Sequence, residues 1–368
     1  MKILQIITSL RTGGAERLVA DLAGRMAGAG NDVTVLLFDG SRTPLLDELE
    51  GSGISVRALG KGVNAMHNPL LVFRLSAFLR NNRFDIIHTH NTPCQLITAL
   101  CPAARMSALV TTEHNTSNRR RGNNLLKPLD RWMYGRYRSI ICVGEETARN
   151  LKSWLPGAGL ESRITVIPNG IDLNRIRNAE PAPDIAALPG TKILMVSAFR
   201  PQKDQLSLVK AMQYLPETYS LFLAGGAELP EHRILMAQCR DTAASLGVED
   251  RVFFLGIRRD VPELLAAADI IVLSTHHEGM PLSLLEAMAS GKPVLASDVK
   301  GVREFAASQE ALFPEGDAKK IADKISFVTK NHEISRLIKI GGSERAGQFD
   351  IALTASAYRK LYTWILNN

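Results

Sequence analysis

Short apolar runs, rich in β-branched residues, alternate along the chain with stretches whose apolar residues recur at helical spacing. In the first half, the runs that predict strands are 2–9, 32–38, 54–59, 85–90, 109–112, 139–143 and 163–167. In the second half, they are 192–197, 219–224, 252–255, 269–273 and 293–296. Strands that alternate with helices indicate parallel sheets covered by helices on both faces, so the sequence predicts an α/β protein.

This pattern is interrupted between residues 168 and 190, where prolines and glycines break every periodicity. Such a texture predicts a connection between two domains. A chain of 368 residues is also longer than one hydrophobic core usually serves. We therefore predict one domain at 1–170, a second at 171–350, and a final helix at 351–368 that crosses back to the first domain.

The most informative stretch runs from Glu278 to Ser290 and follows the predicted strand 269–273. Pro281 suits the first position of a helix, because a proline has no N–H group to leave unpaired there. Gly291 suits the position just past the last helical turn. The stretch therefore predicts a strand, a loop and a helix.

The start of this helix predicts an anion site. The N–H groups of Met280, Leu282 and Ser283 would point out of the helix, where their hydrogen bonds and the helix dipole both favour an anion. Glu278 on the loop and Glu286 one turn deeper flank the site, and carboxylates accept hydrogen bonds from sugar or ribose hydroxyls. The alternative interpretation is two solvated acids on an ordinary βα unit.

Two motifs in the first half lie where α/β proteins bind ligands. Gly13 and Gly14 separate the first strand from the first helix, and glycines there let the backbone approach a phosphate closely. The G-x-G-x-x-G fingerprint is absent, so an NAD site is not supported, and a plain tight turn is the alternative. The strand 85–90 ends in His88 and His90, which either face a ligand or cap the strand end through hydrogen bonds.

A pair of cations follows the first strand of the second half. Arg200 offers a planar fork of donors and Lys203 a point charge, and a diphosphate uses both well. Two solvated surface cations are the alternative. Because both residues lie at the carboxyl end of a strand, as Glu278 does, we expect them to border the same ligand site.

The positive charge of the protein is concentrated in its first half. Residues 1–170 hold 21 Lys and Arg against 13 Asp and Glu, and the densest cluster runs from 119 to 138. A basic domain implies an anionic partner: nucleic acid, a phospholipid surface or an acidic substrate.

The cysteine spacing and the lengths of the apolar runs indicate the cellular compartment and the absence of a membrane span. The four cysteines, Cys94, Cys101, Cys142 and Cys239, show no metal-binding spacing, which favours a reducing compartment and no zinc site. The first apolar run is too short for a signal peptide, and no run is long enough to span a bilayer.

The chain resembles the retaining glycosyltransferases of family 4. The motifs that carry the resemblance are Gly13-Gly-Ala-Glu16, Pro168-Asn-Gly-Ile-Asp172, Arg200-x-x-Lys203, Phe254-Leu-Gly256 and Glu278-x7-Glu286. The last of these, extended through Ala287-Met-Ala-Ser-Gly-x-Pro-Val294, is highly specific, and the resemblance covers essentially the whole chain. It implies the GT-B fold, in which two Rossmann-like doubly wound domains face a central cleft, with an acceptor-binding first domain and a donor-binding second domain.

The resemblance also implies a set of site residues. The catalytic residues would be Arg200, Lys203, Glu278 and His114. The donor-binding residues would be Gly13, Gly14, Arg258, Met280, Pro281, Leu282 and Glu286. The acceptor side would include Glu16 and Arg119.

By position in the motifs, Glu286 should bind the donor ribose and Glu278 the hydroxyls of the donor sugar. The two cations, the Gly14 amide and the start of the helix near Met280 should hold the diphosphate. The backbone near Arg258 should read the base edge.

The implied reaction is sugar transfer with retention at the anomeric carbon. A leaving phosphate oxygen would take the proton of the acceptor on the same face, so no side chain need act as a nucleophile. No D-x-D motif is present, so we expect no metal and no cofactor, with Arg200 and Lys203 in place of a cation. The donor would be a nucleoside diphosphate sugar, with UDP favoured over GDP.

The expected acceptor is a lipid-linked or polysaccharide glycan of the cell envelope. Residues 125–137 mix apolar, aromatic and cationic side chains, which suits a helix on an anionic membrane or an ordinary helix docked on its own sheet. We expect a cytoplasmic enzyme, peripheral on the inner face of the membrane. The alternatives are another GT-B enzyme, such as a sugar-nucleotide epimerase or a phosphorylase, and then a nucleic-acid binder, for which no module is visible.

Overall fold

The computed structural model describes residues 1–11, 13–62, 65, 68–114, 119–157, 159–227 and 229–368, with side chains throughout except at 119 and 120. The chain divides into two compact units. Unit 1 comprises Met1–Gly170 and Ile351–Asn368, and unit 2 comprises Ile171–Asp350.

Unit 1 is built on a parallel sheet, seven-stranded within the described residues. Its strands are β1 (Lys2–Ile7), β2 (Asp32–Leu37), β3 (Ser55–Ala58), β4 (Ile86–His90), β5 (Ala108–Glu113), β6 (Ser139–Cys142) and β7 (Ile164–Val166). They pair in the order β3-β2-β1-β4-β5-β6-β7. The order reverses between β1 and β4, and doubly wound sheets bind ligands beside the carboxyl ends of the strands at such a switch point.

Helices cover both faces of this sheet. They are α1 (Gly14–Gly28), α2 (Pro44–Gly51), α3 (Leu71–Asn81), α4 (Thr92–Leu100), α5 (Lys127–Tyr134) and α6 (Glu145–Trp154). Strand β1 shows how both faces are buried: Ile3 and Ile7 pack into one core cluster, and Leu4 and Ile6 pack into the other. A nearly continuous apolar strand is what a central parallel strand requires.

Unit 2 repeats this architecture. Its strands are β8 (Thr191–Val196), β9 (Tyr219–Ala224), β10 (Val252–Gly256), β11 (Ile270–Leu273), β12 (Val294–Ser297) and β13 (Leu312–Phe313). They are parallel in the order β10-β9-β8-β11-β12-β13, with the reversal between β8 and β11. The predicted α/β fold with two Rossmann-like sheets is therefore confirmed.

The helices of unit 2 lie on both sides of its sheet. They are α7 (Leu173–Arg177), α8 (Pro183–Ala186), α9 (Gln205–Ala211), α10 (Pro230–Ser245), α11 (Val261–Ala267), α12 (Leu282–Ala289), α13 (Ala318–Lys330) and α14 (His332–Gly347). The stretch 168–190, predicted as a connection, also contains two short helices of unit 2. Ile176 of α7 and Ile185 of α8 are buried in the core of unit 2, so this proline-rich stretch folds as part of that unit.

The last helix, α15 (Ile351–Asn367), belongs to unit 1. Gly170 lies so close to its first turn that a Cβ there would collide with Ile351 and Thr354. The Thr354 hydroxyl donates to the carbonyl of Pro168 at 3.1 Å, and Tyr358 and Tyr362 are fully buried. The chain therefore leaves unit 1 and returns to it at one closely packed point. Among the described residues, no helix combines the length and apolar character that crossing a bilayer requires.

Candidate functional site

The loops that follow β8 and β11 are joined at the switch point of unit 2. The N–H group of His276 and the hydroxyl of Thr275 both donate to the carbonyl of Gln202, each at 2.9 Å. Lys203 and Thr275 also form an antiparallel bridge. The sheet therefore holds the Lys203 loop and the Glu278 loop side by side, as their position after two strands predicted.

Lys203 and Glu278 form an ion pair between these loops. The Lys203 ammonium donates to Glu278 Oε1, and the two side chains are only 12% and 8% exposed. The Thr275 hydroxyl oxygen, whose one proton Gln202 and Glu278 both can accept, lies 3.0 Å from the same carboxylate oxygen. An ammonium has three N–H donors, so Lys203 retains donors for a further acceptor. The sequence predicted separate roles for these two residues and missed their contact.

Arg200 is exposed at the start of the same loop, where its carbonyl accepts from the N–H group of Lys203 at 2.8 Å. Within the described residues its guanidinium takes part in no ion pair, so its donors are available to a ligand. Arg200 and Lys203 thus lie on one tight turn at the carboxyl edge of β8.

The helix that follows Glu278 differs in one detail from the prediction. Pro281 is the residue before the helix, with φ −78° and ψ 92°, and Leu282 is the first helical residue. The prediction that Pro281 takes the first helical position is therefore wrong, because its backbone is extended. The predicted end is confirmed, since α12 stops at Ala289 and Gly291 follows with φ +71°. Met280 and Leu282 are half-buried, and Glu286 is half-buried in the second turn.

A glycine that the sequence analysis missed supports the Glu278 loop from the far side. Gly301 follows β12 with φ +84°, and a Cβ there would collide with the backbone carbonyl of Glu278. Both the left-handed backbone and the close approach require glycine. The signal available in the sequence was a single glycine just after the strand 293–296.

Arg258, beside the β10 end of the same edge, has its side chain engaged by carboxylates. Its guanidinium donates to Asp260 at 2.7 Å and to Asp184 at 2.6 Å. These hydrogen bonds raise the pKa of Arg258 above its ordinary value, so it is permanently charged. The prediction for this site concerns the backbone near Arg258 and not its side chain. The side chain is held by Asp260 and Asp184, and these contacts do not involve the backbone of Arg258.

In unit 1, the two predicted glycines begin α1. Gly13 is the residue before the helix, in an extended conformation, and Gly14 is the first helical residue. Glu16 folds back over this start, because a Cβ on Gly13 would collide with its carboxylate. A glutamate three residues after the capping position is typical of a capping box. The helix start that the sequence assigns to phosphate therefore lies beneath a carboxylate of the same helix.

The histidines at the end of β4 and directly after β5 form a hydrogen-bonded chain centred on Gln5. His90 Nε2 lies 2.7 Å from Gln5 Oε1, which can only accept, so the proton of His90 is on Nε2. His90 Nδ1 is therefore an acceptor, and the Nε2–H group of His114 donates a hydrogen bond to it at 3.0 Å. His114 Nδ1 is then left as a bare acceptor, and it is buried without a hydrogen-bond partner among the described residues.

The other arm of this chain runs to the last helix. Gln5 Nε2 donates to the Tyr362 hydroxyl at 3.5 Å, and that hydroxyl lies 2.5 Å from His88 Nδ1. His88 Nε2 reaches the Thr112 hydroxyl at 2.7 Å. His88 and His90 thus bond to side chains of their own unit, as the strand-capping alternative allowed.

Burial lowers the pKa of all three histidines. For His114 it lowers the pKa to about 4, and for His88 and His90 it lowers the pKa well below the ordinary value. All three are therefore neutral at pH 7. The sequence analysis missed Gln5 and Tyr362, although a glutamine inside an otherwise apolar strand was a visible signal.

A strained residue marks the switch point of unit 1. Asn91, directly after β4, has φ +69° and ψ 148°, and its side-chain amide donates to Thr8 after β1 at 3.2 Å. A conformation of this kind costs about 1–3 kcal/mol in a residue other than glycine and tends to occur at functional sites.

Arg119 begins a short 3₁₀ turn that ends at Gly122. Its side chain is outside the part that the structure describes, so its role on the acceptor side stays a prediction.

Comparison with known proteins defines the class. The family model "Glycosyltransferase Family 4" matches residues 12–175, and the model "Glycosyl transferases group 1" matches residues 181–344. Together with the two Rossmann-like sheets, these matches show that the chain belongs to the GT-B glycosyltransferases, with a family 4 amino-terminal region. It is therefore a glycosyltransferase.

Named relatives span most of the chain. One is UDP-Gal:alpha-D-GlcNAc-diphosphoundecaprenol alpha-1,3-galactosyltransferase of Escherichia coli, 28% identical over 70% of each chain. Another is the phosphatidyl-myo-inositol mannosyltransferase of Mycobacterium leprae, 25% identical over 95% of this chain and 92% of the relative. The crystal structure of Anabaena HepE in complex with UDP and glucose superposes with a TM-score of 0.84 at 22% identity, covering 99% of both chains.

Proposed function

We propose that the protein transfers a sugar, with retention of anomeric configuration, from a nucleoside diphosphate sugar to a lipid-linked acceptor in cell-envelope glycan synthesis. A polysaccharide acceptor is the second possibility within the same proposal. The observation that carries the proposal is the Lys203–Glu278 pair at the switch point of unit 2, with Arg200 exposed on the same turn.

The arrangement suits a diphosphate bound to a sugar. Glu278 occupies one donor of the Lys203 ammonium, and the remaining donors are suited to a phosphate oxygen. Arg200 adds a second cation with a planar fork, and the start of α12 adds backbone N–H groups. The fixed carboxylate of Glu278 would at the same time accept hydrogen bonds from sugar hydroxyls. The diphosphate charge is thus balanced by side chains and amides, and the proposal needs no metal ion.

The proposed chemistry is electrostatic. Charge that develops on the leaving diphosphate is stabilised by donors already in place, a contribution that commonly reaches a hundred- to a thousandfold in turnover for one donor, on the order of 3–4 kcal/mol. The leaving phosphate oxygen takes the proton of the acceptor hydroxyl on the face it vacates, which gives retention. The bare Nδ1 of His114 would accept a hydrogen bond from a hydroxyl near the reacting carbon.

The relatives support the choice of donor and acceptor. The Escherichia coli relative is named for UDP-Gal and a diphosphoundecaprenol-linked sugar, and the Mycobacterium leprae relative for a phosphatidylinositol. HepE was solved with UDP. We infer a UDP-sugar donor and an acceptor carried on a lipid through phosphate.

We further propose contact with an anionic membrane through the segment 125–137. Leu125 is 87% exposed, and Leu129 and Trp132 are each 38% exposed, although Met133 and Tyr134 of the same helix are buried in the core. The Arg136 guanidinium stacks over the Trp132 ring at 5.2 Å. Exposed apolar and aromatic side chains among cations are typical of helices that lie on a membrane surface.

A donor screen with analysis of the product tests the proposal. The purified chain is incubated with labelled UDP- and GDP-sugars and a prenyl-diphosphate-linked sugar, with and without EDTA. We expect transfer from a UDP-sugar, no loss of activity in EDTA, and a product whose anomeric coupling constant matches that of the donor. An inverted product, or activity that returns only with added metal, would overturn the proposal.

A further inference from the structure

A second cluster of charged side chains lies in unit 1, outside the residues assigned above. Glu113, the last residue of β5, is 5% exposed and accepts three hydrogen bonds. Its Oε1 accepts from Gln95 at 2.6 Å and from the Tyr134 hydroxyl at 2.6 Å, and its Oε2 accepts from Arg121 Nη2 at 2.9 Å. This buried carboxylate is therefore well supplied with donors.

Arg121 is not satisfied in the same way. Its side chain is 10% exposed, and its Nη2 donates to Glu113. Nε and Nη1 are buried, and neither has a hydrogen-bond partner among the described residues. A guanidinium has five N–H donors and cannot lose its charge, so leaving most of them buried without acceptors is costly. The imbalance points to an acceptor group that the described part of the chain does not supply.

The guanidinium of Arg121 is held in a fixed position, although two of its nitrogens have no hydrogen-bond partner among the described residues. Burial lowers the pKa of Arg121, but the charge of Glu113 and the Tyr134 hydroxyl outweigh burial and raise it, so the group stays charged. Because Gln95 and Tyr134 fix Glu113, and Glu113 fixes one nitrogen of Arg121, the remaining nitrogens have a defined direction. A fixed guanidinium with donors on two nitrogens suits a phosphoryl group, whose several oxygens can reach both.

The position of this cluster relates it to the proposed reaction. Glu113 directly precedes His114, whose Nδ1 is the buried acceptor of the histidine chain. Glu113 holds Arg121, whose guanidinium can donate hydrogen bonds to an anion, whereas His114 Nδ1 can accept a hydrogen bond from a hydroxyl. A sugar linked to phosphate carries hydroxyls and phosphoryl oxygens, which are the chemical complements of these two groups.

We propose that Arg121 binds a phosphoryl group of the acceptor substrate, with Glu113, Gln95 and Tyr134 as positioning residues. This inference rests on the proposed function, since it concerns the acceptor of that reaction. It assigns the acceptor to the class of sugars linked through phosphate, as opposed to neutral glycans.

The central experiment compares two acceptors of the same sugar, one linked through diphosphate and one without phosphate. One is a farnesyl-diphosphate-linked N-acetylglucosamine, and the other is the octyl glycoside of the same sugar. The double variant Arg121→Met/Glu113→Gln removes the cation without leaving a buried carboxylate uncompensated. Glu113→Gln alone keeps the cation, and Arg149→Gln, an exposed arginine of α6 paired with Glu146, is the matched control.

For the double variant, we expect KM for the diphosphate acceptor to rise about tenfold to a hundredfold, the range that one or two charge-assisted hydrogen bonds provide. KM for the octyl glycoside and for the donor should stay within about threefold of wild type. The control should match wild type for both acceptors. Equal losses on both acceptors, or no loss on either, would show that the Glu113–Arg121 pair only anchors the 3₁₀ turn to β5, and the inference would fall.

A binding measurement separates this inference from the proposed function. Inorganic pyrophosphate is titrated calorimetrically into protein saturated with UDP, so that the donor site is occupied. Binding by wild type and its loss in the double variant would support the Arg121 site even if no sugar transfer were found. Transfer with an unchanged KM and unchanged pyrophosphate binding in the double variant would refute the site while leaving the function intact.

A third arm identifies the source of the phosphate. Flotation with phosphatidylglycerol vesicles measures membrane binding in the same variants. We expect the double variant to float as wild type does. If flotation is lost while both acceptor KM values are unchanged, Arg121 binds a membrane phospholipid, and its assignment to the acceptor is wrong.

Discussion

The two switch points of this molecule have the same geometry and opposite chemistry. In unit 2, the loops after β8 and β11 bring a lysine and a glutamate into contact, with a second cation exposed beside them. In unit 1, the end of β4 and the residue after β5 carry neutral histidines that pass hydrogen bonds through Gln5 of β1. One edge therefore presents charge, and the other presents a proton acceptor held neutral by burial.

This difference follows from what surrounds each edge. Glu278 keeps the Lys203 ammonium paired, although both side chains are largely buried. The histidines are enclosed by β1 and by the tyrosines of α15, and enclosure without a carboxylate disfavours the charged imidazole. A shared fold thus fixes where a site lies, whereas the neighbours of each strand end decide its chemistry.

The largest effect is expected when the positive charge of Lys203 is removed from the switch point of unit 2. We expect Lys203→Ala to lower turnover by about a hundredfold to a thousandfold or more, because a donor fixed on the leaving diphosphate is lost. Steady-state assays at saturating donor measure the effect. Thermal melting serves as the folding control, and Lys210→Ala, an exposed lysine of α9, is the matched variant. Turnover within a factor of a few of wild type would remove Lys203 from the reaction.

A second change sharpens the account of the donor. Glu286→Gln should raise KM for the donor about tenfold to a hundredfold, since a hydrogen bond from a ribose hydroxyl to a charged acceptor weakens. KM for the acceptor should be unaffected, and Glu304→Gln, an exposed glutamate of the same unit, should resemble wild type. A change confined to the acceptor KM would show that the ribose assignment is mistaken.

On the unit 1 side, Gln5→Met tests whether the histidine chain matters to catalysis. The variant removes the acceptor of His90, so the proton of His114 is no longer fixed on Nε2. We expect kcat to fall about tenfold with KM for the donor unchanged, the size of one lost hydrogen bond to a reacting hydroxyl. Tyr358→Phe, which removes only the hydroxyl beyond Thr112, is the control. Equal effects of the two variants would mean that the hydrogen bonds among Gln5, His90 and His114 have only a structural role.

The buried histidines also predict how stability varies with pH. Their folded pKa values are lowered, so the unfolded chain binds protons that the folded chain does not, and stability rises with pH. The change should fall between about pH 6.5, where free histidine titrates, and the folded pKa of His114 at about 4. Each histidine contributes up to about 1.4 kcal/mol per pH unit in that window.

Urea unfolding between pH 7.5 and 5 measures this slope. His88→Asn should reduce it by one histidine, and the exposed His332→Gln should leave it unchanged. A free energy of unfolding that does not change with pH across this window would contradict the conclusion that the three histidines are buried and neutral.

The smallest expected effect concerns the membrane. Leu125→Ser should lower flotation with anionic vesicles about threefold, because it removes one exposed leucine from the contact surface. Transfer to a short-chain acceptor in solution should not change. Phe73→Ser, an exposed aromatic on α3, is the matched control. Equal flotation of all three proteins would rule out the segment 125–137 as a membrane contact.

The sequence predicted the fold well and the site less well. Twelve strands were located to within two residues, because buried parallel strands are continuous apolar runs and stand out against any background. The two-residue strand β13 was missed, since so short a run has no period. The stretch 168–190 was taken for a connection because prolines break helical spacing, although short helices begin with proline readily, as α8 does.

At the site, spacing predicted which loops lie together but could not predict their contacts. That Lys203 and Glu278 follow neighbouring strands is a matter of topology, whereas their ion pair depends on side-chain conformation. The Gln5–His90–His114 chain joins residues distant in sequence, and it depends on how β1, β4 and β5 pack side by side. The Glu113–Arg121 pair spans eight residues and depends on how the chain turns back after β5.

A crystal structure of the protein with bound UDP tests the central claim most directly. The account predicts that oxygens of the diphosphate lie within hydrogen-bonding distance, about 2.7–3.2 Å, of Lys203 Nζ and of the Arg200 guanidinium, while Lys203 still contacts Glu278. A nucleotide whose phosphates meet neither cation, or one bound away from the carboxyl ends of β8 and β11, would contradict it.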